Sequence, residues 1–306
     1  MPWPGADTLV RPANQTPVMA GLIGTDRVKT IHTIDRFRDE SWQVERPLGL
    51  VPTMGAIHQG HLALMRRARS ENTTLAASIF VNPTQFGPQE DYSGYPRDMD
   101  SDLYKLERAG VDLVFAPSVG EMYPEGFDTF VEVGRVASRL EGESRPGHFR
   151  GVATVVCKLL AIVRPDRAYF GQKDVQQSLV ARRLNADLDL GADIVVVSTS
   201  RETDGLAFSS RNRYLGPEER RAATVLYRSL RVARDMWENG TLDAEEIRRR
   251  IREYIEGEPL AMIDYVSVAD ATTLEELDVI GGPAVVSLAV RIGQTRLIDN
   301  IVLERP

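Results

Sequence analysis

The chain has 306 residues, of which 37 are Lys or Arg and 44 are Asp or Glu, so its formal net charge is −7. This acidic balance argues against wholesale nucleic-acid binding, which normally needs a basic domain or stripe. No stretch approaches about 18 consecutive apolar residues, so no membrane span is predicted. A lone cysteine, Cys157, excludes an internal disulfide and a thiolate zinc cluster. The length favours two domains, and the cysteine usage favours a reducing, cytoplasmic compartment.

Residues 1–26 differ in texture from the rest of the chain. No apolar periodicity is sustained there, and the segment contains four of the 17 prolines, namely Pro2, Pro4, Pro12 and Pro17. A Pro-rich, aperiodic segment of this kind is typical of a flexible leader. We therefore predict a leader over 1–26, with Met19 as an alternative start.

Between residues 27 and 199, short β-branched runs alternate with longer amphipathic stretches. The predicted strands are Leu48–Thr53, Leu75–Val81, Val111–Ala116, Arg167–Gly171 and Ile194–Ser198. The predicted helices are His61–Glu71, Asp98–Ala109, Val152–Val163 and Val175–Asp187. This alternation is typical of an α/β fold with a Rossmann-like parallel sheet and helices on both faces. In such a sheet, ligands bind beyond the carboxyl ends of the strands.

After about residue 200 the order of elements changes. The pattern predicts two charged helices followed by three strands, at Pro217–Glu238, Asp243–Glu256, Ile263–Val268, Ala284–Val290 and Arg296–Leu303. Helices followed by strands indicate a smaller α+β domain over 200–306. Arg248, Arg249 and Arg250 alternate with glutamates at helical spacing, which favours a solvated face over a nucleic-acid patch.

The most informative local feature follows the first strong strand, in the segment 51–61. An apolar strand leads into a Gly-bearing turn, and His58-Gln-Gly60-His61 then opens a helix. The two imidazoles, three residues apart, can share one face at the positive end of that helix, which suits a polyphosphate. Two alternatives remain: histidines that merely cap or pack, and a zinc pair, which the spacing and the scarcity of further ligands disfavour.

Five motifs then occur in one consistent order. Pro52–His61 is similar to PTMGALHxGH, Ile79–Phe86 to IFVNPxQF, Tyr169–Gln177 to a segment containing FGEKDxQQ, Asp204–Leu215 to DGLAMSSRNxYL, and Arg296–Asn300 to TRLIDN. These are signatures of the pantothenate synthetase (pantoate–β-alanine ligase) family, in the HIGH-motif nucleotidyltransferase superfamily. The resemblance spans about residue 28 to the end of the chain.

The resemblance implies a two-step ligase reaction. ATP-dependent condensation of pantoate with β-alanine would give pantothenate through a pantoyl-adenylate, with release of pyrophosphate and AMP, as in pantothenate (vitamin B5) and coenzyme A biosynthesis. It also implies Mg²⁺ carried with ATP, and a homodimer formed through the larger domain. No nucleic-acid or membrane partner is expected, and no protein metal site.

The same resemblance assigns residues to roles. The catalytic residues would be His58, His61, Lys173 and Arg211, with His61 as the proton donor. ATP would also contact Met54, Gly55, Gly60, Gly171, Gln172, Asp174, Ser200, Phe208, Ser209 and Ser210. Pantoate and β-alanine would be held by Gln85, Gln177 and Asn82, whose neutral amides add no competing nucleophile.

Three residues depart from the family pattern. Gln172 stands where the family usually has Glu, Phe208 where it has Met, and Ser200 where a small apolar residue is common, so the adenine pocket should differ in fine shape. Cys157 is expected to pack in its helix, and His148, in a predicted loop, either borders the site or has no role.

Two rival functions are another nucleotidyltransferase, which the Asn82 and Gln85 segment disfavours, and a non-catalytic nucleotide sensor.

Overall fold

The computed structural model describes residues 28–88 and 90–304, so the leader predicted over 1–26 lies outside the described residues. Its larger sheet has six parallel strands in the order β1-β4-β3-β2-β5-β6. The strands are β1 (Lys29–Ile31), β2 (Leu48–Thr53), β3 (Thr74–Ile79), β4 (Leu113–Phe115), β5 (Arg167–Gly171) and β6 (Asp193–Val197). The central strands are almost wholly buried, as expected for parallel strands covered on both faces.

In the described part of the chain, seven α-helices accompany this sheet: α1 (Ile34–Ser41), α2 (Gln59–Glu71), α3 (Met99–Arg108), α4 (Val119–Met122), α5 (Glu141–Ser144), α6 (His148–Val163) and α7 (Val175–Asp187). The sheet separates two hydrophobic cores. Apolar side chains of α1, α6 and α7 fill one of them. Apolar side chains of α2 and α3 fill the other. The fold is therefore the predicted α/β type with helices on both faces.

The C-terminal part forms a second, smaller α+β unit. It contains α8 (Pro217–Ala222), α9 (Val225–Glu238) and α10 (Ala244–Glu256), and the antiparallel strands β7 (Ala261–Asp270), β8 (Ala284–Ile292) and β9 (Thr295–Leu303) in the order β7-β8-β9. The amphipathic helices α9 and α10 bury their apolar faces against one face of this sheet.

The other face of the small sheet packs on the large unit. Ala269 and Val285 join the core formed by α1, α6 and α7. At the edge, both Glu141 oxygens lie 2.8 Å from Arg296 nitrogens, and the Tyr265 hydroxyl donates to Glu141 at 2.9 Å. This bidentate pair fixes the small sheet beside the carboxyl ends of the large one.

The strand order creates a crevice between β2 and β5. The chain runs outward from β2 through β3, then returns to place β5 and β6 on the opposite side of β2. Ligands of open parallel sheets bind at such a switch point. The segments that follow β2 and β5 contain His58 and Lys173, so two of the predicted motifs meet there.

Several details differ from the sequence predictions. The short elements β1 and α1 were not predicted, and the helix expected over Pro217–Glu238 is two helices, α8 and α9. The solvated face expected for the arginine run is wrong for Arg248, which is only 8% exposed. Its guanidinium donates to the carbonyls of Val268 and Leu277 and pairs with Glu276. Within the described residues, every helix is too short or too polar to cross a bilayer.

Candidate active site

A cleft of about 1150 Å³ lies at the carboxyl ends of β2, β5 and β6, with one wall formed by the small sheet. The predicted site residues that line it are Met54, His58, Gly60, His61, Asn82, Gln85, Gly171, Lys173, Asp174, Gln177, Ser200, Phe208, Ser209, Ser210 and Arg211. Gly55 is buried in the turn after β2, and Gln172 directs its amide at Asn300. The structure thus brings together motifs that are far apart in sequence.

The turn between β2 and α2 fixes both imidazoles through backbone hydrogen bonds. His58 caps α2 by accepting from the Gly60 N–H at its Nδ1 (3.1 Å), and His61 Nδ1 accepts from the His58 N–H (3.3 Å). Because each Nδ1 is an acceptor, each neutral ring carries its proton on Nε2. The absence of a side chain at Gly60 matters, since a Cβ there would lie 2.9 Å from the His58 ring.

The electrostatics of this turn keep both rings uncharged. Burial, followed by the charge of Lys173, lowers the pKa of His58 from 6.5 to about 4. Burial and the neighbouring His58 lower the pKa of His61 from 6.5 to about 3. At neutral pH the pair therefore presents two N–H donors rather than two cations.

Side chains of α3 hold the turn itself. The sequence predicted this helix but not its contact with the turn. The buried carboxylate of Asp102 accepts from the N–H groups of Ala56 (2.8 Å) and Ile57 (2.7 Å). Lys105 donates to the Ile57 carbonyl at 2.9 Å. Gly55 (φ +79°) and Ala56 (φ +50°) adopt left-handed conformations that these bonds stabilise.

A second turn, at the end of β5, places Lys173 opposite the histidines. Lys173 Nζ lies 3.3 Å from the carboxylate of Asp174, which is half exposed to the cleft. Asn300 of β9 donates to the carbonyls of Gln172 and Lys173, both at 2.9 Å. The closing Leu-Ile-Asp-Asn motif thus supports the turn that carries Lys173.

The Ser209-Ser210-Arg211 segment also lines the cleft. Ser209 Oγ accepts from the Arg211 N–H at 3.3 Å, and the Arg211 guanidinium pairs with Asp91 at 3.1 Å. Tyr95 is hydrogen-bonded to Ser210. The segment is therefore held by side chains of the loop around Asp91, a contact that no sequence signal predicted.

Ser200 and Phe208 lie together near the histidines. The Phe208 N–H donates to the Ser200 carbonyl at 3.1 Å. The Phe208 ring is stacked on His58 with 6.5 Å between centroids and 20° between planes. An aromatic ring at this place gives a flatter wall than the methionine expected from the family pattern.

The amide side chains form the remaining wall. Asn82 is buried, and its amide nitrogen donates to Gln85 Oε1 (3.0 Å) and to the Gly151 carbonyl (3.1 Å). Its oxygen accepts from Thr84 and from the Tyr123 hydroxyl. Because both its donor hydrogens are used inside the protein, Asn82 orients Gln85. The side-chain amide of Gln177, in contrast, lines the cleft without a hydrogen bond to any residue in the described part of the chain.

The structure also places Cys157 and His148. Cys157 is half-buried in α6 beside the apolar core, as the packing prediction expects. His148 is the first residue of α6 rather than a loop residue, and it borders the cleft. Glu90 and Arg145, which also border it, were missed because no motif marked them.

Comparison with known proteins identifies the family. Residues 27–302 match the family model for pantoate-beta-alanine ligase. The chain belongs to this family. The pantothenate synthetase of Roseiflexus sp. (strain RS-1) is 58% identical over 277 residues, which cover 90% of this chain and 100% of the relative. That of Chloroflexus aurantiacus is 58% identical over 278 residues, covering 90% and 99%.

Two crystal structures of ligases from this family share the fold. The pantothenate synthetase of Thermus thermophilus has a TM-score of 0.86 and 48% identity, covering 90% of this chain and 99% of that one. The pantoate-beta-alanine ligase of Francisella tularensis, complexed with beta-gamma ATP and beta-alanine, has a TM-score of 0.74 and 35% identity, covering 90% and 97%. The chain is thus an enzyme of the pantoate-beta-alanine ligase family over nearly its full length.

Proposed function

We propose that this enzyme condenses pantoate with β-alanine at the β2/β5 crevice, using ATP and releasing pyrophosphate and AMP. The observation that carries the proposal is the meeting of three groups in one cleft. Two neutral imidazole donors, a lysine and two glutamine amides come there from motifs after β2, β3 and β5. Such a cleft can hold a polyphosphate next to a hydroxy acid.

In the first step, a pantoate carboxylate oxygen attacks the α-phosphorus of ATP. A new P–O bond forms, the bond to the bridging oxygen of the β-phosphate breaks, and pyrophosphate leaves with that electron pair. We assign His58, His61 and Lys173 to the phosphates, with N–H donors that stabilise the negative charge as it develops. We also assign to His61 the donation of a proton to an oxygen of the departing pyrophosphate, because a bound anionic triphosphate would favour the protonated ring.

The Ser209–Arg211 segment is assigned to the leaving pyrophosphate. Two hydroxyls and a guanidinium in sequence form a donor-rich clamp. Gly55, Gly60, Gly171, Met54, Ser200 and Phe208 would shape the nucleotide pocket, and Asp174 would accept from the ribose hydroxyls. Gln172 supports the Lys173 turn through Asn300 rather than lining the cleft.

In the second step, the amine of β-alanine attacks the acyl carbon of pantoyl-adenylate. The new C–N bond replaces the acyl–oxygen bond, AMP leaves with the electron pair, and the proton that the amine loses passes to water. Gln85 and Gln177 would hold the pantoyl group, and Gln85 would also contact β-alanine. Asn82 would act by fixing the Gln85 amide.

Magnesium is proposed to enter with ATP. Mg²⁺ prefers phosphate oxygens and water, and in the described part of the chain no three His, Cys, Asp or Glu side chains come together as a metal-binding group. Nearby Asp102 uses both oxygens on backbone N–H groups. The ion would neutralise phosphate charge when bound.

The organisation around the site is also proposed. We assign residues 27–199 to a nucleotide- and pantoate-binding domain, and 200–306 to a smaller domain that carries the clamp and closes the site. A homodimer formed through the larger domain and a cytoplasmic location follow from the family resemblance and the single thiol.

Product formation tests the function directly. Purified protein with ATP, Mg²⁺, pantoate and β-alanine should yield pantothenate, AMP and pyrophosphate in equal amounts, as followed by mass spectrometry and a pyrophosphate assay. Omission of β-alanine should abolish pantothenate. Formation of a dinucleotide product, or ATP binding without turnover, would contradict the proposal and favour the two rival functions.

A further inference from the structure

A route of hydrogen bonds runs from Glu90 to the main chain of Gln85. The Glu90 carboxylate accepts from Arg145 Nε at 2.7 Å and from Arg145 Nη2 at 2.6 Å. Arg145 Nη1 lies 3.1 Å from His148 Nε2, and His148 Nδ1 lies 2.8 Å from the Gln85 carbonyl oxygen. Apart from Gln85, none of these residues has a part in the reaction proposed above.

The protonation of His148 follows from its partners. A guanidinium only donates, so His148 Nε2 must accept from Arg145, and a neutral ring then carries its proton on Nδ1. That proton is donated to the Gln85 carbonyl. Burial, followed by the charge of Arg145, lowers the pKa of His148 to about 4, which keeps the ring neutral at physiological pH. Each hydrogen bond along the route therefore has one donor and one acceptor: Arg145 donates to Glu90 and to His148, and His148 donates to Gln85.

Gln85 is held at both ends. Its side-chain amide is fixed by Asn82 at 3.0 Å and lies 3.1 Å from Met54 Sδ, while its carbonyl is fixed by His148. The first turn of α6 packs directly on this segment, because a Cβ at Gly151 would lie only 2.3 Å from the Thr84 carbonyl oxygen. His148 and Gly151 thus fix one stretch of backbone from the same helical turn.

We propose that His148 is a positioning residue that fixes the Gln85 main chain, so that the Gln85 amide meets pantoate and β-alanine, and that Glu90 and Arg145 fix the His148 ring. This inference rests on the proposed function, in which Gln85 contacts both acyl substrates. A group placed in advance binds without the cost of ordering it, and a shift of its backbone weakens both contacts together.

Two substitutions of His148 separate this role from a general structural one. In His148→Asn, the amide nitrogen lies where Nδ1 was and can still donate to Gln85. In His148→Gln, the amide reaches toward the Nε2 position, and the Gln85 carbonyl keeps only its long contact of 3.5 Å with Arg145 Nη2. We expect H148Q to raise the KM for pantoate and for β-alanine about tenfold, the size expected for one lost buried hydrogen bond, with the KM for ATP within about twofold. H148N keeps the donor to Gln85 but loses the acceptor for Arg145, so it should raise the same two KM values by no more than about threefold.

If H148Q folds poorly, a substitution of Glu90, at the other end of the route, tests the same role. Glu90→Gln, at a partly exposed position, removes the bidentate ion pair and should raise the same two KM values about threefold. Equal increases in H148N and H148Q, or wild-type KM values in both H148Q and E90Q, would overturn the positioning role. So would a fall in kcat and melting temperature with all three KM values unchanged.

Gln85→Ala distinguishes this inference from the function on which it rests. If Q85A raises both acyl-substrate KM values and H148Q raises neither, only the positioning role is wrong. If Q85A leaves both values unchanged, the assignment of Gln85 to the substrates is wrong, and the inference about His148 is wrong with it.

Discussion

The two sides of the cleft hold their candidate phosphate-binding groups in different ways. On the sheet side, backbone hydrogen bonds, Asp102 and Asn300 fix His58, His61 and the Lys173 turn. On the clamp side, the Arg211 guanidinium forms a partly exposed ion pair with Asp91. The first arrangement is fixed before a ligand arrives, whereas the second must exchange one anion for another.

This difference predicts effects of opposite sign. A preorganised donor acts in full when charge develops in the transition state, so its loss should be costly. A partly exposed ion pair contributes little free energy, so its loss should have a small effect, and here a favourable one.

Lys173→Ala should lower the rate of adenylation by about 10² to 10³, because it removes one preorganised donor from the sheet side. The measurement is single-turnover pyrophosphate release, with melting temperature as the check on folding. Lys29→Ala is a matched control, since Lys29 pairs with Glu40 far from the cleft. Near-wild-type adenylation in K173A would refute the assignment of this residue.

The neutral histidines predict a loss of stability in mild acid. The pKa values of His58, His61 and His148 are lowered in the folded state, so the unfolded chain takes up more protons as pH falls from about 6.5 toward 4. The free energy of unfolding should be fully maintained above pH 6.5 and should fall through that window. Asp299 acts in the opposite direction, because burial raises its pKa.

Melting temperatures of the wild type and His61→Asn across pH 4 to 7 test this prediction. H61N lacks one of the three groups, so its melting temperature should depend less steeply on pH. The same steepness in both proteins would show that His61 does not contribute to the acid sensitivity.

Asp91→Asn should tighten the binding of a non-hydrolysable ATP analogue about two- to fivefold, since the phosphates no longer compete with Asp91 for Arg211. Isothermal titration calorimetry measures this directly. Asp35→Asn makes the same charge change at an exposed site in α1 and should have no effect. Weaker binding in D91N would mean that Asp91 orders the clamp rather than competing with its ligand.

The sequence predicted those parts of the site that are continuous along the chain. Each of the β2–α2 turn, the β5 turn and the Ser209–Arg211 segment contains its own strand end, glycines or donor residues, so its pattern can be recognised locally. The contacts that hold these segments are distant. Asp102 reaches a turn 46 residues away, and Asp91 pairs with an arginine 120 residues away.

Tertiary packing determines which residues become such partners. An isolated acidic residue in the sequence does not indicate which distant segment it will contact. Arg248 also shows that local spacing does not predict a distant contact. Its spacing to glutamates predicted a solvated face, yet the proximity of β7 and of the 276–277 segment buries its guanidinium on main-chain carbonyls. A helical pattern fixes which residues share a face but not which neighbour covers that face.

In the proposed reaction, pantoate is adenylated at the sheet side of the cleft before β-alanine reacts. Rapid-quench measurement of pyrophosphate release, with enzyme in excess over ATP and with each acyl substrate added separately, tests it most directly. Pantoate alone should trigger a burst of pyrophosphate at the rate of the full reaction, and β-alanine alone should give none. Release that requires β-alanine but not pantoate would contradict the account.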